Sequence, residues 1–491
     1  MLWLVLLAAA SEDLPAKLRH LESVASAEAP ASSPDGARIA FVTTLFGTRQ
    51  VATMAADGSY PIQLTDEPGG VLGVRYAPND PKMLIAIALR GDKRRLLFVD
   101  EEGTPAAEID PAPGDQLPGG FTRDGKKFFY AVVDGAKISL RQLPLDTRKP
   151  VEVTAPPPAA GPVQAPVGSL PLAESLAGLW ALGPPTPDGR SVVAAVRRGG
   201  IEGLVLVDVA TARGGILAPL EGRFRSPRFS PDGRTLYVLT DAGRKTMGVD
   251  AITMLGRARK TVYAPPSDLE AYAVSEDGHR LAVAAEQEGE TIFSLLELSS
   301  LRAQPLAAPP GGALAPVAIG EAPLIWTRAG DRLLFGWRLS DDTTDVWALR
   351  MGYGTPSRLT RSPRPSLPRD SIPRPKKVSV GWLWMPAAET NTRPRVAVLI
   401  SPVELRPVFD KRIAALNFAG LAVLAVNGPG AQKAALEYIR AAPDLDAKKP
   451  VLLDLDGGSV EQPAAWSAVV KHVDADHPDL QALLKEVGAL R

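Results

Sequence analysis

The chain has 491 residues with 55 basic and 55 acidic side chains, no cysteine and four histidines. The balanced charge leaves no net field to draw in nucleic acid or an anionic membrane surface, and the missing thiols exclude disulfides, thiolate metal sites and a cysteine nucleophile. A composition of 45% apolar and 22% charged residues is that of a globular protein, and 47 prolines and 44 glycines point to many turns.

The N-terminus opens with an apolar run, Leu2 to Ala10, ending in small residues before Ser11. This predicts a short export signal over residues 1–10 and a periplasmic or secreted product, although no basic residue precedes the run. As a helix the run is too short to span a bilayer, and no later stretch is long enough, so no integral membrane segment is expected after its removal. A buried N-terminal strand is the competing reading. Residues 11–26 carry Leu14, Leu18, Leu21 and Val24 at helical spacing, a helical lead-in to the repeats that begin at residue 27.

From residue 27 the text repeats. Ser33-Pro34-Asp35-Gly36 precedes an apolar strand, and the pattern returns at Ala77-Pro78-Asn79-Asp80, Thr122-Arg123-Asp124-Gly125 and Thr186-Pro187-Asp188-Gly189. It recurs at Ser230-Pro231-Asp232-Gly233 and Ser275-Glu276-Asp277-Gly278, with a worn copy at Thr327-Arg328-Ala329-Gly330. Proline presets such a turn, aspartate bonds a nearby amide, and glycine takes the positive φ. Measured at the third residue, the spacings are 44, 45, 64, 44, 45 and 52. A period of about 40–45 residues with four short strands is that of a β-propeller blade, so residues 27–363 are predicted to form seven blades in one ring. The first and last units share an ending, Leu64-Thr65 and Leu359-Thr360. The long gap is accounted for by a Pro/Ala-rich insertion at 155–177, read as an extended excursion; this insertion and the worn Thr327–Gly330 turn make blade three or seven the expected site of irregularity. An all-β sandwich is the alternative to the ring.

A proline-punctuated linker, 364–377, separates the ring from residues 378–491. There Val396–Ile400, Leu421–Val426 and Val451–Leu455 read as buried strands alternating with helices at Phe409–Ala419, Ala431–Ala441, Pro463–Val473 and Leu480–Leu490. That alternation predicts a small α/β domain on a mainly parallel sheet.

A propeller of such blades followed by an α/β domain resembles the prolyl oligopeptidase family of serine peptidases, in particular its acylaminoacyl-peptidase-like branch. The blade text alone is also similar to TolB-type propellers. The stretch carrying the likeness is Val398-Leu399-Ile400, Arg406-Pro407-Val408-Phe409 and Ala419 to Asn427, which tracks the family's entry into its hydrolase domain. The resemblance implies a glycine-rich oxyanion loop after the first of these strands, where backbone amides would face a developing oxyanion. This chain has Ser401-Pro402-Val403-Glu404 there. It implies a Gly-x-Ser-x-Gly elbow after the strand Val451-Leu452-Leu453. Asp454 stands for the first glycine, Asp456 for the serine, and only Gly458 matches. It implies an acid and a histidine well downstream, where only His472, Asp474, Asp476 and His477 stand, outside any family motif.

The catalytic positions are therefore read as degenerate, with no catalytic residue, cofactor or metal expected, and the working role as binding of a peptide or protein at the propeller's central face or the interdomain cleft. Three alternatives stay open. Ser459 with His472 or His477 as base would make a displaced serine peptidase or esterase. Leu452 to Gly458 resembles the DxDG strand exit of haloacid-dehalogenase-like phosphatases, with Asp454 as nucleophile and Asp456 as acid/base. A TolB-like envelope scaffold would use the tail structurally. Of the remaining histidines, His20 carries no motif and His279 reads as a solvated turn residue.

Overall fold

The computed structural model describes residues 14–102, 105–155, 168–352, 354–362, 372–387, 393–401, 405–428, 430–455, 460, 463–471 and 479–490. The signal expected at 1–10 lies outside them. Among these residues the strands form seven radial antiparallel sheets, at 27–63, 71–108, 115–152, 170–222, 224–263, 269–306 and 312–358, and one further sheet near the C-terminus.

Each repeated turn joins the first and second strands of its blade. The Ser33 hydroxyl donates to the Asp35 carboxylate (2.6 Å) and accepts from the amide of Arg38 (2.9 Å). The same hydroxyl–carboxylate bond recurs at Thr122–Asp124, Thr186–Asp188, Ser230–Asp232 and Ser275–Asp277. These bonds hold all five carboxyls below their usual value of 3.8, with the hydroxyl the largest cause. The worn seventh turn keeps the geometry by substitution: Thr327 donates to Asp331 instead (2.8 Å). His279 is exposed, its amide bonded to Asp277 (3.0 Å).

The ring closes through side-chain packing. Each neighbouring pair of blades shares one apolar cluster, including blade seven with blade one, where Leu334, Val346 and Ala348 meet Ile39, Phe41 and Met54. Among the described residues no strand is exchanged at this seam; the Thr343 hydroxyl donates to the Ala25 carbonyl (2.6 Å) and the Ala27 amide to that of Thr344 (2.9 Å). The shared endings have a purpose: Thr65 caps the Val51 amide in blade one (2.9 Å) and Thr360 caps Val346 in blade seven (2.9 Å).

Extra or split strands fall in blades four and seven, while blade three keeps four strands with one register shift, between Phe129 and Tyr130. The end of the predicted excursion is structural: Leu170–Pro171 adds a fifth, outermost strand to blade four, and the short helix Leu172–Ser175 leads to Leu176, which is fully buried between blades three and four. In blade seven the first strand is split into Gly312–Leu314 and Leu324–Trp326.

The C-terminal sheet is mixed, in the order Lys376–Val378, Gly381–Trp384, Ala422–Asn427, Arg395–Ser401, Asp446–Asp454, Ala468–Lys471. The last four strands are parallel and the first two form an antiparallel edge hairpin, so the sheet is mixed and the mainly parallel expectation holds for four of its six strands. The helix predicted at Pro463–Val473 does not form among the described residues. A single 3-10 turn at Pro463–Ala465 gives way to the edge strand Ala468–Lys471, where β-branched Val469 and Val470 pair with the neighbouring strand. Both sheet faces are covered, which is why the inner strands read as unbroken apolar runs. Helix Ala431–Ala441 packs Ala435, Leu436 and Ile439 on one face. Helices Lys411–Phe418 and Leu480–Glu486 cover the other, joined by Leu18 and Leu21 of the N-terminal helix Leu14–Ser23. The segment expected as a lead-in to the first blade thus completes the C-terminal core instead. No helix among the described residues is long and apolar enough to cross a membrane.

Candidate functional site

Two places could carry function: the carboxyl edge of the parallel strands, and the cavity where the propeller's inner strands face that domain. At the edge, Ser401 and Asp454 end adjacent strands, with Ile400 in register with Asp454 and the Leu455 amide donating to the Ile400 carbonyl (2.9 Å). Lys471 stands opposite Asp454 on the next strand, and both Ser401 and Asp454 are buried. The two stretches matched to oxyanion loop and elbow thus leave the sheet side by side. Such an edge is where ligands meet open α/β sheets. The other candidates, Pro402, Val403, Glu404, Asp456, Gly458, Ser459, His472 and His477, lie outside the described residues. Among the described residues no three His, Asp or Glu side chains are grouped to hold a metal.

The second place is a cavity of about 610 Å³, within the size range of small-ligand sites. Its walls are the inner strands of blades four to six, contributing Trp180, Arg225, Arg228 and Glu270, and blade seven, whose second strand contributes Arg338, with Arg406 entering from the C-terminal domain. β-Bulges place some of these side chains: the register of blade five's first strand shifts between Arg225 and Arg228, with Ser226 at φ 49°. A bulge bends a strand and re-aims its side chains.

Arg406 ties the two bodies together. Its guanidinium pairs with Glu270 and donates to the Thr291 hydroxyl (3.1 Å), which in turn donates to Glu270 (2.6 Å). Burial pushes the Arg406 pKa down. Beside it the Phe409 amide donates to the Leu339 carbonyl (2.8 Å), and Arg374 faces Asp341 (3.6 Å). Gly289, in a blade-six hairpin at φ +88°, lies so close to Trp382 and Pro407 that a Cβ there would collide with both rings. At the cavity wall the guanidinium groups of Arg225 (4.3 Å) and Arg197 (5.0 Å) both lie over the Trp180 ring, and both pair with the buried Glu202. On the opposite face, Arg328 donates to the Pro78 carbonyl (2.6 Å) and Arg123 to that of Pro231, each bond linking blades that are not neighbours.

The sequence motifs did not point to Trp180, Arg228 or Arg338. A signal was available: Arg75 and Arg228 both stand two residues before a repeated turn, a phase held elsewhere by Ala31, Gly120, Pro184, Ala273 and Ile325.

A seven-bladed propeller set against a mixed sheet with parallel inner strands is the class these features define. Comparison with solved structures agrees. The chain aligns with a puromycin-hydrolyzing peptidase of Mycobacterium tuberculosis at 15% identity and TM-score 0.68, over 92% of this chain and 78% of the other. It aligns with a structure from a study of two prolyl endopeptidases at 14% identity and TM-score 0.71, over 98% and 80%. With the acylaminoacyl peptidase of Pyrococcus horikoshii the values are 12%, 0.60, 92% and 78%. The resemblance to prolyl oligopeptidase-type peptidases therefore holds at the level of fold. No protein-family model matches the chain, and no curated protein does.

Proposed function

We propose that the protein is an exported, catalytically inactive relative of these peptidases that binds a peptide or protein segment in the cavity between propeller and C-terminal domain. The observation that carries this reading is the cavity itself, about 610 Å³, walled by four blades and by Arg406. Support for inactivity comes from the matched positions, where Asp456 replaces the serine and Ser401-Pro402-Val403-Glu404 replaces the glycine loop. Losing an oxyanion donor costs about 10²–10³ in rate, and losing a triad member roughly 10⁴–10⁶. The fold neighbours are named for peptidase and hydrolase activity, which favours one second reading, hydrolysis by Ser459 with His472 or His477.

Purified protein should leave a fluorophosphonate probe unreacted and hydrolyse neither peptide nor ester substrates. Turnover abolished by Ser459→Ala would overturn the inactive reading. Immobilised protein should retain members of a random heptapeptide pool, and Trp180→Ala should lose them; no retention by the parent protein removes the binding role. Export is supported by the Leu2–Ala10 run, and the mature N-terminus should lie near Ser11. An intact Met1 in a cytosolic fraction argues against it.

A further inference from the structure

The charges lining the cavity do not cancel. Arg223, Arg225, Arg228, Arg338 and Arg406 face it, against Glu270 and Glu321. Both carboxylates are already engaged, Glu270 by Arg406 and Glu321 by Arg75 (2.8 Å). Arg223 is paired outside with Asp241 (2.7 Å) and Arg225 with Glu202. Arg228 and Arg338 remain, and neither has an ion-pair partner among the described residues.

The molecule supplies its own control. Arg75 holds the same phase in blade two as Arg228 in blade five. Each of its three nitrogens is bonded: Nε on Glu321 (2.8 Å), Nη1 on the Gly119 carbonyl (2.7 Å) and Nη2 on the Gly320 carbonyl (2.5 Å). Arg228 makes one protein hydrogen bond, from Nη1 to its neighbour's carbonyl at Pro227 (2.9 Å), out of five available donors. Arg338 uses less still, with a buried Nε that has no partner. The carboxylates that attract it through space, Glu28 and Asp410, are bound to Arg49 and Arg412. Burial pushes the pKa of both arginines down, and at Arg228 the like charge of Arg75 adds to it. Arg75 fills its fork with protein acceptors; these two leave most of theirs facing the cavity. Both side chains are half-buried; a cation partly withdrawn from water without a counterion is unfavourable, and an anion entering the cavity reduces that cost.

We infer that the cavity selects short peptides carrying two carboxylates, a free C-terminus and a nearby acidic side chain, with Arg228 and Arg338 as the receptors; this rests on reading the cavity as the peptide site. The planar guanidinium fork matches a carboxylate bidentately. The apolar wall of Trp180, Met247, Leu269 and Leu314 takes the peptide's apolar parts.

The test is calorimetric titration of the full chain with acetyl-Ala-Ala-Glu-Ala bearing a free C-terminus, and with its neutral counterpart acetyl-Ala-Ala-Gln-Ala-amide. The acidic peptide should bind at least about ten-fold tighter, and Arg228→Met and Arg338→Met should each weaken it by about ten-fold or more. Arg302→Met, which removes a charge from the outer strand of blade six, should change affinity by less than about two-fold. Both cavity variants should melt no lower than the parent, because removing an uncompensated charge offsets the single hydrogen bond that Arg228 makes. Equal binding of the two peptides overturns the selection and leaves the peptide site standing. Acidic-peptide binding indifferent to both arginines overturns their role. Displacement by inorganic phosphate at equal concentration overturns the carboxylate assignment. No binding of either peptide overturns the inference, and retention from the heptapeptide pool then decides the broader reading separately.

Discussion

Leu21→Ala tests the least expected feature of the fold, that the first helix belongs to the last domain. Leu21 is fully buried, in a cluster with Ile413, Leu416, Leu483 and Leu484 rather than with any blade residue. Truncating such a leucine removes its transfer free energy and leaves a cavity, costing about 2–5 kcal/mol. A ten-residue helix is marginal alone, so its docking rests on Leu18 and Leu21. Hydrogen exchange resolves where the loss falls. Amides of Lys411–Phe418 and Leu480–Glu486 should exchange about 30-fold faster or more, from the lower end of that range. Amides of Thr235–Thr240, inside blade five, should be unchanged. Lost protection in blades one and seven, with the C-terminal helices unaffected, would refute the assignment.

Gly289→Val should weaken the union of propeller and C-terminal domain, since its side chain would occupy the space of Trp382 and Pro407; limited proteolysis near 363–371 should accelerate, and unchanged digestion contradicts the close approach. The turn aspartates give an acid signature. Their folded pKa values lie below 3.8, so their contribution is present above about pH 4 and is lost as pH falls through the lowered values. Ser230→Ala should make the melting temperature less steep between pH 4 and pH 2.5 (about one turn's share), and an unaltered slope counts against the hydroxyl's role. Asp345 works in the opposite sense: burial pushes it up to about 6, so its protonation favours the fold as pH falls from about 6 toward 3.8, and Asp345→Asn should remove that component from the pH profile.

The propeller was legible because its signal is local and repeated. The hydroxyl, aspartate and glycine that shape five of the seven turns sit within four residues, and the phase is copied around the ring. Even the worn turn at Thr327 keeps its hydroxyl, and only the position of its acid has moved, to Asp331. Legibility failed where partners are distant. Nothing in Leu14–Ser23 announces that its apolar stripe meets a helix some 390 residues later, yet the Lys411 ammonium reaches the Glu22 carbonyl (3.4 Å). The predicted helix at Pro463–Val473 failed because an edge position beside Asp446–Asp454 was open to Val469 and Val470, and pairing outweighed the helical spacing. The cavity was illegible for a related reason. Its arginines come from blades five and seven and a loop of the C-terminal domain, and what sets Arg228 apart from Arg75 is the absence of an ion-pair partner, which no motif encodes.

The two candidate places are connected by one loop. The chain leaves the sheet edge at Ser401, and by Arg406 it has reached the propeller, where the guanidinium is held by Glu270 and Thr291. In the related folds a loop at this point is implied to serve the reacting edge; here its clearest described contact is with the cavity. That contact fixes the cavity's charge. Without Arg406, Glu270 would be a free carboxylate on the same wall as Arg228 and Arg338 and would offset them; with Glu270 neutralised, the cavity keeps its positive balance. On this reading Arg406, just past the stretch matched to the oxyanion loop, sets the electrostatics of binding, and Arg406→Met should lower acidic-peptide affinity although Arg406 itself is already paired. Unchanged affinity in that variant would separate the loop from the cavity's selectivity.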